Sequence, residues 1–144
     1  GEVFAGGDPS GVAVWYPAAY RPPNAEPASI ERRLEAICGP YAPRFLALHQ
    51  AMADAHPTTA HHYLAFVGVR PELQGQGIGT ALVRHRLREL DEAGMPTYLE
   101  ATNRRNLALY VHLGFQPTGN PIVLPDNGPK LYPMWRAASV HRGL

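Results

Sequence analysis

The pattern of apolar positions along the chain predicts several short strands. The apolar run from Gly11 to Tyr16 predicts a strand, and Pro17 stops it. A longer run with β-branched and aromatic residues, from His62 to Val69, predicts a central strand. Further strands are predicted at Thr97 to Ala101, at Phe115 to Leu124 and at Leu131 to Trp135, with the last two flanking the turn sequence PDNG.

Apolar residues at helical spacing predict four helices between these strands. A helix from Gly79 to about Ala93 ends at Gly94, and Asn103 caps a helix that reaches Leu113. The order of elements predicts an α/β domain with a mixed sheet. Two earlier helices are predicted by Ile30, Leu34 and Ile37, and by Tyr41, Phe45, Leu48 and Met52.

Composition and charge narrow the class of protein. A chain of 144 residues with 45% apolar and 17% charged residues predicts one globular domain, residues 1–144. The net charge of +1 gives no reason to expect nucleic acid or an anionic membrane as partner. No apolar run approaches the roughly 18 residues of a membrane span. The single cysteine, Cys38, cannot form an internal disulfide, so we expect a cytoplasmic protein.

Three glycines at alternate positions, Gly75, Gly77 and Gly79, stand just before the third predicted helix. A helix N-terminus offers unpaired N–H groups and partial positive charge, so bare backbone there favours an anionic ligand. The alternative is a tight turn that needs positive φ angles. Thr80 interrupts the dinucleotide fingerprint, and no lysine follows in the position that a Walker loop requires.

The segment Gln74-x-x-Gly77-x-Gly79 resembles the [QR]-x-x-G-x-[GA] signature of the GCN5-related N-acetyltransferase (GNAT) family. The upstream VGVRPELQ and the downstream LEATNRRNLALYVHLGF match that family's blocks in order and spacing, from about Val67 to Phe115. YLEAT, RNLALY and LYPMW, together with the helical pair, resemble its narrower puromycin N-acetyltransferase-like group. The resemblance implies a GNAT-type mixed β-sheet flanked by helices.

The resemblance also implies acetyl-coenzyme A as co-substrate and no metal. The backbone of β-strand residues 67–69 would pair with the pantetheine arm, and the N–H groups of the glycine loop would hold the pyrophosphate. Asn106 stands where many relatives carry a small apolar residue, so a plain helix-surface role is its alternative. The implied cofactor-binding residues are Val67, Gly68, Val69, Gln74, Gly75, Gln76, Gly77, Ile78, Gly79, Thr80, Asn103 and Asn106.

Two residues are candidates for proton transfer. Tyr110 matches the family tyrosine that protonates or hydrogen-bonds the coenzyme sulfur; the alternative is a core aromatic residue. Glu100 is a candidate base, and strand alternation places it on the same face as Tyr98 and Thr102. Its alternative is a structural carboxylate that hydrogen-bonds to backbone. The resemblance further implies an oxyanion donor among the N–H groups of residues 67–69.

We therefore predict an enzyme that transfers acetyl from acetyl-coenzyme A to a primary amine of a small molecule, directly within a ternary complex. The alternatives are a non-catalytic acyl-coenzyme A-binding module and a nucleotide-binding fold of another kind. The helices from Ile30 to His56 would build the acceptor pocket, and His61 or His62 is a candidate to line it. Adjacent strand residues point to opposite faces, so the two histidines do not favour a metal site.

Only ten residues precede the strand at Gly11, whereas the resemblance implies a strand, one or two helices and a further strand before it. The sequence EVFAG could supply one short strand at most. We therefore expect an N-terminally incomplete domain with an exposed sheet edge. A second copy that covers this edge in a homodimer is the alternative.

Overall fold

The structure of the protein is a computed structural model that describes residues 2–5, 10–18 and 27–139. The described residues form four α-helices: α1 (Pro27–Cys38), α2 (Ala42–Ala55), α3 (Ile78–Glu92) and α4 (Arg104–His112). Short 3₁₀ turns occur at Gly39–Tyr41 and Pro71–Leu73. The strands are β1 (Glu2–Ala5), β2 (Gly11–Tyr16), β3 (His62–Val69), β4 (Thr97–Ala101), β5 (Gln116–Pro117), β6 (Ile122–Val123) and β7 (Lys130–Arg136).

The sheet is mixed, with the order β1-β2-β3-β4-β7-β5, and β6 also pairs with β7. Only the β3–β4 pair is parallel among the described strands; the other pairs are antiparallel. A parallel pair needs a crossover, and α3 supplies it. The predicted α/β class with a mixed sheet is thus confirmed.

Strands β2, β3 and β4 have the predicted bounds. The prediction of one strand from Phe115 to Leu124 is wrong, because that run forms two separate two-residue strands. Pro117 and Pro121 lack the N–H that a continuous ladder needs, and Gly119 between them has φ 69. Tyr41, predicted to begin a helix, lies in the preceding 3₁₀ turn.

The core lies between α3 and the sheet. Val83, Leu87 and Leu90 are buried on one face of α3, as their spacing predicts. They pack in one cluster with side chains of five strands or their ends, including Trp15, Leu64, Leu99, Phe115 and Met134.

The apolar faces of the first two helices are less covered. The side chains of Ile37, Tyr41 and Phe45 are 79%, 61% and 47% exposed. Helical periodicity therefore predicts these elements correctly without predicting their burial. In the described part of the chain, the helices are too short or too polar to cross a bilayer.

Candidate functional site

Strands β3 and β4 separate after a short pairing. They pair only at His62 with Thr97 and at Tyr63 with Tyr98. Beyond these pairs β3 continues to Val69, and among the described strands it pairs there only with β2. Its other edge therefore leaves backbone N–H and C=O groups open to a ligand that lies along it like an additional strand.

A bulge in β3 decides which side chains face this opening. Val14 pairs with Phe66 and Trp15 with Leu64, so Ala65 has no partner in the β2 register. The bulge breaks the alternation: Leu64 is buried, but Phe66 is 66% exposed. A Cβ placed on Gly79 would lie 3.3 and 3.4 Å from side-chain atoms of Val69 and Val67, so both valines face α3.

The glycine loop combines positive φ angles with open space. Gly75 and Gly77 have φ 78 and 81, and a Cβ added to either would meet no atom within 4 Å. Gly79 has another role, because its missing side chain lets α3 approach β3 closely. Both interpretations of the glycines, a positive-φ turn and room for a ligand, are compatible with this geometry. Gln74 braces the loop by donating from Nε2 to the carbonyl oxygen of Val69 at 3.1 Å.

The N-terminus of α3 is suited to an anion. Gly77 precedes the helix in the left-handed region and makes no side-chain cap. The first helical hydrogen bond runs from Ala81 N to Gly77 O, at 2.9 Å. The amides of residues 78–80 therefore lie before the first intrahelical bond and point toward the loop, with the positive end of the helix dipole behind them.

A cavity of about 560 Å³ joins the open edge of β3, the glycine loop and α4. This volume is within the usual range for small-molecule sites. Ten of the twelve predicted cofactor-binding residues line it: Val67, Val69, Gln74, Gly75, Gly77, Ile78, Gly79, Thr80, Asn103 and Asn106. Gly68 and Gln76 do not, because Gly68 faces away from the two valines and Gln76 is exposed in the turn.

Asn103 and Asn106 support the start of α4. The Oδ1 atom of Asn103 accepts from the backbone N–H of Asn106 at 2.8 Å, which is the predicted helix cap. Asn106 Nδ2 donates to Thr102 Oγ1 at 3.2 Å. Arg105, between them, also lines the cavity and was not singled out from the sequence. The sequence signal that could have indicated Arg105 is the pair of arginines that directly follows the cap residue Asn103.

Tyr110 lies where α4 faces the cavity. Its ring packs edge-on against Phe115, with centroids 5.8 Å apart, and it borders the core cluster. Burial raises the pKa of Tyr110 above its ordinary value, so the phenol keeps its proton at neutral pH. The side chain therefore combines a packing role with a protonated hydroxyl group at the cavity.

Glu100 is largely buried on the other face of β4. Leu99 and Ala101 belong to the core cluster, so alternation turns Tyr98 and Glu100 away from it. The hydroxyl of Tyr63 donates to Glu100 Oε2 at 2.7 Å. Glu100 does not line the 560 Å³ cavity.

The surroundings of Glu100 raise its pKa. Burial is the largest cause, and hydrogen bonding from Tyr63 and Tyr98 opposes it. The Tyr98 hydroxyl and Glu100 Oε1 lie without a well-formed hydrogen bond among the described residues, so we assign the firm contact to Tyr63. Burial and the charge of Glu100 raise the pKa of Tyr63, which keeps it a donor.

Aromatic rings surround this carboxylate. Tyr63 stacks on Tyr16 with centroids 6.2 Å apart and meets the ring of His56 edge-on at 5.0 Å. His56 also meets Tyr98 at 5.1 Å. The sequence predicted Glu100 but not Tyr63 or His56, because the contact spans 37 residues between strands whose pairing the sequence does not give.

His61 pairs with His56, and its side chain does not line the 560 Å³ cavity. Its Nδ1 lies 2.6 Å from the carbonyl oxygen of Thr59, and its Nε2 lies 3.0 Å from His56 Nε2. A carbonyl can only accept, so His61 Nδ1 carries the proton and, in neutral His61, Nε2 accepts from His56. Burial is the larger cause that lowers the pKa of His56, and repulsion from a positive charge on His61 lowers it further. The described residues contain no cluster of three or more potential metal ligands.

Comparisons with known proteins agree with this geometry. The sequence profile of the Acetyltransferase (GNAT) family matches residues 15–115, well over half of the chain. A mycothiol acetyltransferase of Nocardia farcinica is 34% identical over 90 residues, which cover 59% of this chain and 29% of that protein. A mycothiol acetyltransferase of Streptomyces scabiei is 46% identical over 73 residues, which cover 49% of this chain and 23% of that protein. The chain thus spans less than a third of these curated relatives.

Solved structures share the fold over nearly the whole chain. A Corynebacterium glutamicum protein, described as histone acetyltransferase HPA2 and related acetyltransferase, is 32% identical with a TM-score of 0.61. The match covers 93% of this chain and 60% of that one. Arylalkylamine N-acetyltransferase 2 of Aedes aegypti has a TM-score of 0.63 over 94% of this chain and 71% of its own, but at 15% identity it shows the fold alone.

Proposed function

This chain belongs to the GNAT family of acetyltransferases, and we propose that it transfers an acetyl group from acetyl-coenzyme A to a primary amine of a small molecule. We propose direct transfer, with both substrates bound together. The observation that carries the proposal is the separation of β3 from β4. This separation opens a gap in the sheet. The cavity proposed for the donor lies on the α3 side of the gap, and the buried carboxylate of Glu100 lies on the opposite face of β4.

The residues present fit acetyl-coenzyme A. The amides of residues 78–80 and the positive-φ glycines offer a phosphate close access to backbone donors. The open edge of β3 offers the amide groups of the pantetheine arm a strand-like partner at Val67 to Val69. Arg105 lines the same cavity and adds a positive charge for the phosphates.

Tyr110 would act as the acid in this reaction. When the amine nitrogen attacks the acetyl carbon, the carbon–sulfur bond breaks and the sulfur leaves as a thiolate. The Tyr110 phenol, whose pKa burial raises, stays protonated until that charge develops and then donates to it. A backbone N–H of the open β3 edge would stabilise the oxyanion of the tetrahedral intermediate.

Glu100 would act as the base. An amine enters mostly as the ammonium ion and must lose a proton before it attacks. Burial raises the pKa of Glu100, and a carboxylate whose pKa is closer to neutrality accepts a proton more effectively. Tyr63 is the positioning residue, since its 2.7 Å hydrogen bond holds one carboxylate oxygen and favours the charged form.

The test is release of coenzyme A thiol from acetyl-coenzyme A in the presence of a panel of primary amines, including aminonucleosides. We expect amine-dependent release, and Tyr110→Phe should lower kcat about 10²–10³-fold with little change in KM for the donor. The Tyr132→Phe variant is the matched control, because Tyr132 also borders the core but does not line the cavity. Tight donor binding without turnover of any amine would favour a non-catalytic binding module. Wild-type kcat in Tyr110→Phe would assign Tyr110 to packing.

A further inference from the structure

Arg136 lies at the end of β7, where this strand meets the helices α3 and α4. It pairs with Thr97 of β4, and Met134, two positions earlier, is fully buried in the core cluster. Strand alternation therefore directs the Arg136 side chain to the same face of the sheet, toward the two helices. The side chain is only 11% exposed, so its charge needs partners within the protein.

Asp91, in the last turn of α3, binds the two terminal nitrogens of this guanidinium group. Arg136 Nη1 donates to Asp91 Oδ1 at 2.6 Å and Nη2 donates to Oδ2 at 2.7 Å, which is a bidentate pair of fixed geometry. A carboxylate at this point faces the negative end of the helix dipole, so the arginine offsets an unfavourable charge. The pair thereby ties the C-terminal end of α3 to β7.

The third nitrogen of the guanidinium group holds the end of α4. Arg136 Nε donates at 3.0 Å to the backbone carbonyl oxygen of Leu113, which lies at the C-terminal cap, where carbonyl groups lack intrahelical partners. A Cβ on Gly114 would lie 3.3 Å from the same nitrogen, so this glycine leaves room for the arginine and also supplies a positive φ of 92. We name the contacts of Arg136 with Asp91 and Leu113 the α3–α4 clamp.

Tyr110 belongs to the helical turn that the α3–α4 clamp holds. Its carbonyl oxygen accepts from the backbone N–H groups of Leu113 and Phe115, both at 3.0 Å. The bond from Phe115, together with the one from Gly114 to Val111, forms a Schellman motif. None of the nine residues of α4 is fully buried, so little apolar packing fixes this helix. The position of Tyr110 therefore depends on the polar contacts at the helix ends.

We propose that Arg136 is a positioning residue for acetyl transfer: the α3–α4 clamp holds the last turn of α4 against α3 and thereby sets the position of the Tyr110 hydroxyl relative to the donor. This inference rests on the proposed function. The N-terminus of α3 offers its amides to the donor phosphates, and the C-terminal turn of the same helix carries Asp91. The clamp therefore joins the helix that binds the donor to the helix that carries the acid.

The test is a double-mutant cycle on kcat between Arg136→Lys and Tyr110→Phe. Lysine keeps a positive charge beside Asp91, but it lacks the planar fork that also reaches Leu113. A displacement of about 1 Å can cost up to about 10²-fold in rate, so Arg136→Lys should lower kcat about tenfold, with KM for acetyl-coenzyme A within about twofold. In the Tyr110→Phe background it should cost less than about twofold, because no hydroxyl remains to be positioned. Equal losses in both backgrounds would overturn the proposal.

Arg86→Lys is the matched control. The Arg86 side chain is 16% exposed and pairs with Glu89 at 2.7 Å, but this pair lies within α3. Arg86→Lys should leave kcat unchanged in both backgrounds, and a loss equal to that of Arg136→Lys would assign the effect to reduced stability and overturn the proposal. Thermal melts monitored by circular dichroism establish that each variant folds. If Arg136→Lys does not fold, Asp91→Asn replaces it, because it removes the charge that anchors the guanidinium group and keeps an oxygen acceptor.

A spectroscopic measurement separates this inference from the proposed acetyl transfer. In protein that carries isotope-labelled tyrosine, the ring signal of Tyr110 is the nuclear magnetic resonance that Tyr110→Phe removes. Arg136→Lys should shift this signal, both in the free protein and with coenzyme A bound, and Arg86→Lys should not. A shifted signal without turnover of any amine would refute the transferase proposal and still support the clamp as the feature that positions Tyr110. An unchanged signal would overturn the role of the clamp, whether or not amines are acetylated.

Discussion

Tyr63→Phe tests the assignment of Glu100 as a base, because it removes a single hydroxyl group from the carboxylate. The hydroxyl donates to Glu100 Oε2 at 2.7 Å and stabilises the charged form. A hydrogen bond to a charged group contributes about 1.5–3 kcal/mol, and about 1.4 kcal/mol corresponds to one pKa unit. Water that enters the space in the variant would recover part of this energy. We therefore expect the carboxylate to lose about 1.4 kcal/mol of stabilisation and the pKa of Glu100 to rise further.

The direction of the rate effect follows from the role of a base. A base works only when deprotonated, so kcat is low below its pKa and rises through it. The rising limb of the kcat profile should move to higher pH in Tyr63→Phe, and at pH well above the limb the variant should approach wild-type activity. Saturating amine and donor restrict the profile to groups of the bound enzyme. Glu100→Gln should abolish the limb.

A matched control distinguishes this effect from general damage. Tyr132→Phe makes the same chemical change at a residue of β7 that pairs with Ala101, on the core side of β4. It should leave the position of the limb unchanged. If Tyr63→Phe lowered kcat equally at every pH, without moving the limb, the hydroxyl would have only a structural role and Glu100 would not be the titrating base.

Two further predictions concern the donor cavity. Gly77→Ala should raise the dissociation constant of acetyl-coenzyme A at least about tenfold in isothermal titration, because its Cβ enters the space assigned to a phosphate. Gly94→Ala is the control, because Gly94 also has a positive φ and open space around it, beyond the other end of α3. This variant should lose a similar amount of stability without a change in donor affinity. Equal donor affinities of the two variants would contradict the phosphate assignment. Arg105→Gln should weaken donor binding about threefold to tenfold and flatten its salt dependence. Arg104 does not line the cavity, so Arg104→Gln should change neither donor affinity nor its salt dependence. Equal losses of donor affinity in the two variants would show that only the net charge of the protein matters.

Local sequence signals predicted the elements on which the donor cavity depends. The run from His62 to Val69 and the five residues of β4 are long enough, and apolar enough, to define strands at the observed bounds. Asn103 acts as the predicted cap of α4. The signature around Gln74 predicts the glycine loop, because the contact of Gln74 with Val69 lies within a few residues in sequence. Ten of the twelve predicted cofactor-binding residues line one cavity. The narrower resemblance to puromycin N-acetyltransferases stays a prediction.

Features that depend on long-range contacts could not be predicted. The bulge at Ala65 appears only when the register of β2 against β3 is known, and it alone places Val67 and Val69 on the same side as Leu64. The Tyr63–Glu100 contact depends on the parallel pairing of β3 with β4. The prediction of one strand from Phe115 to Leu124 is wrong because Pro117 and Pro121 lack the N–H groups that a continuous ladder needs.

The alternation of β4 explains how one short strand could serve two substrates. Leu99 and Ala101 point into the cluster that also holds the residues of α3 and borders Tyr110, on the side of the donor cavity. Tyr98 and Glu100, one position away, point toward the aromatic rings at the end of α2. Because β3 leaves β4 after two pairs, the gap between them would allow the reacting atoms to meet although the substrates enter from different sides. Each side could then be altered separately: residues of the glycine loop should change donor affinity alone, and residues along α2 should change acceptor preference alone.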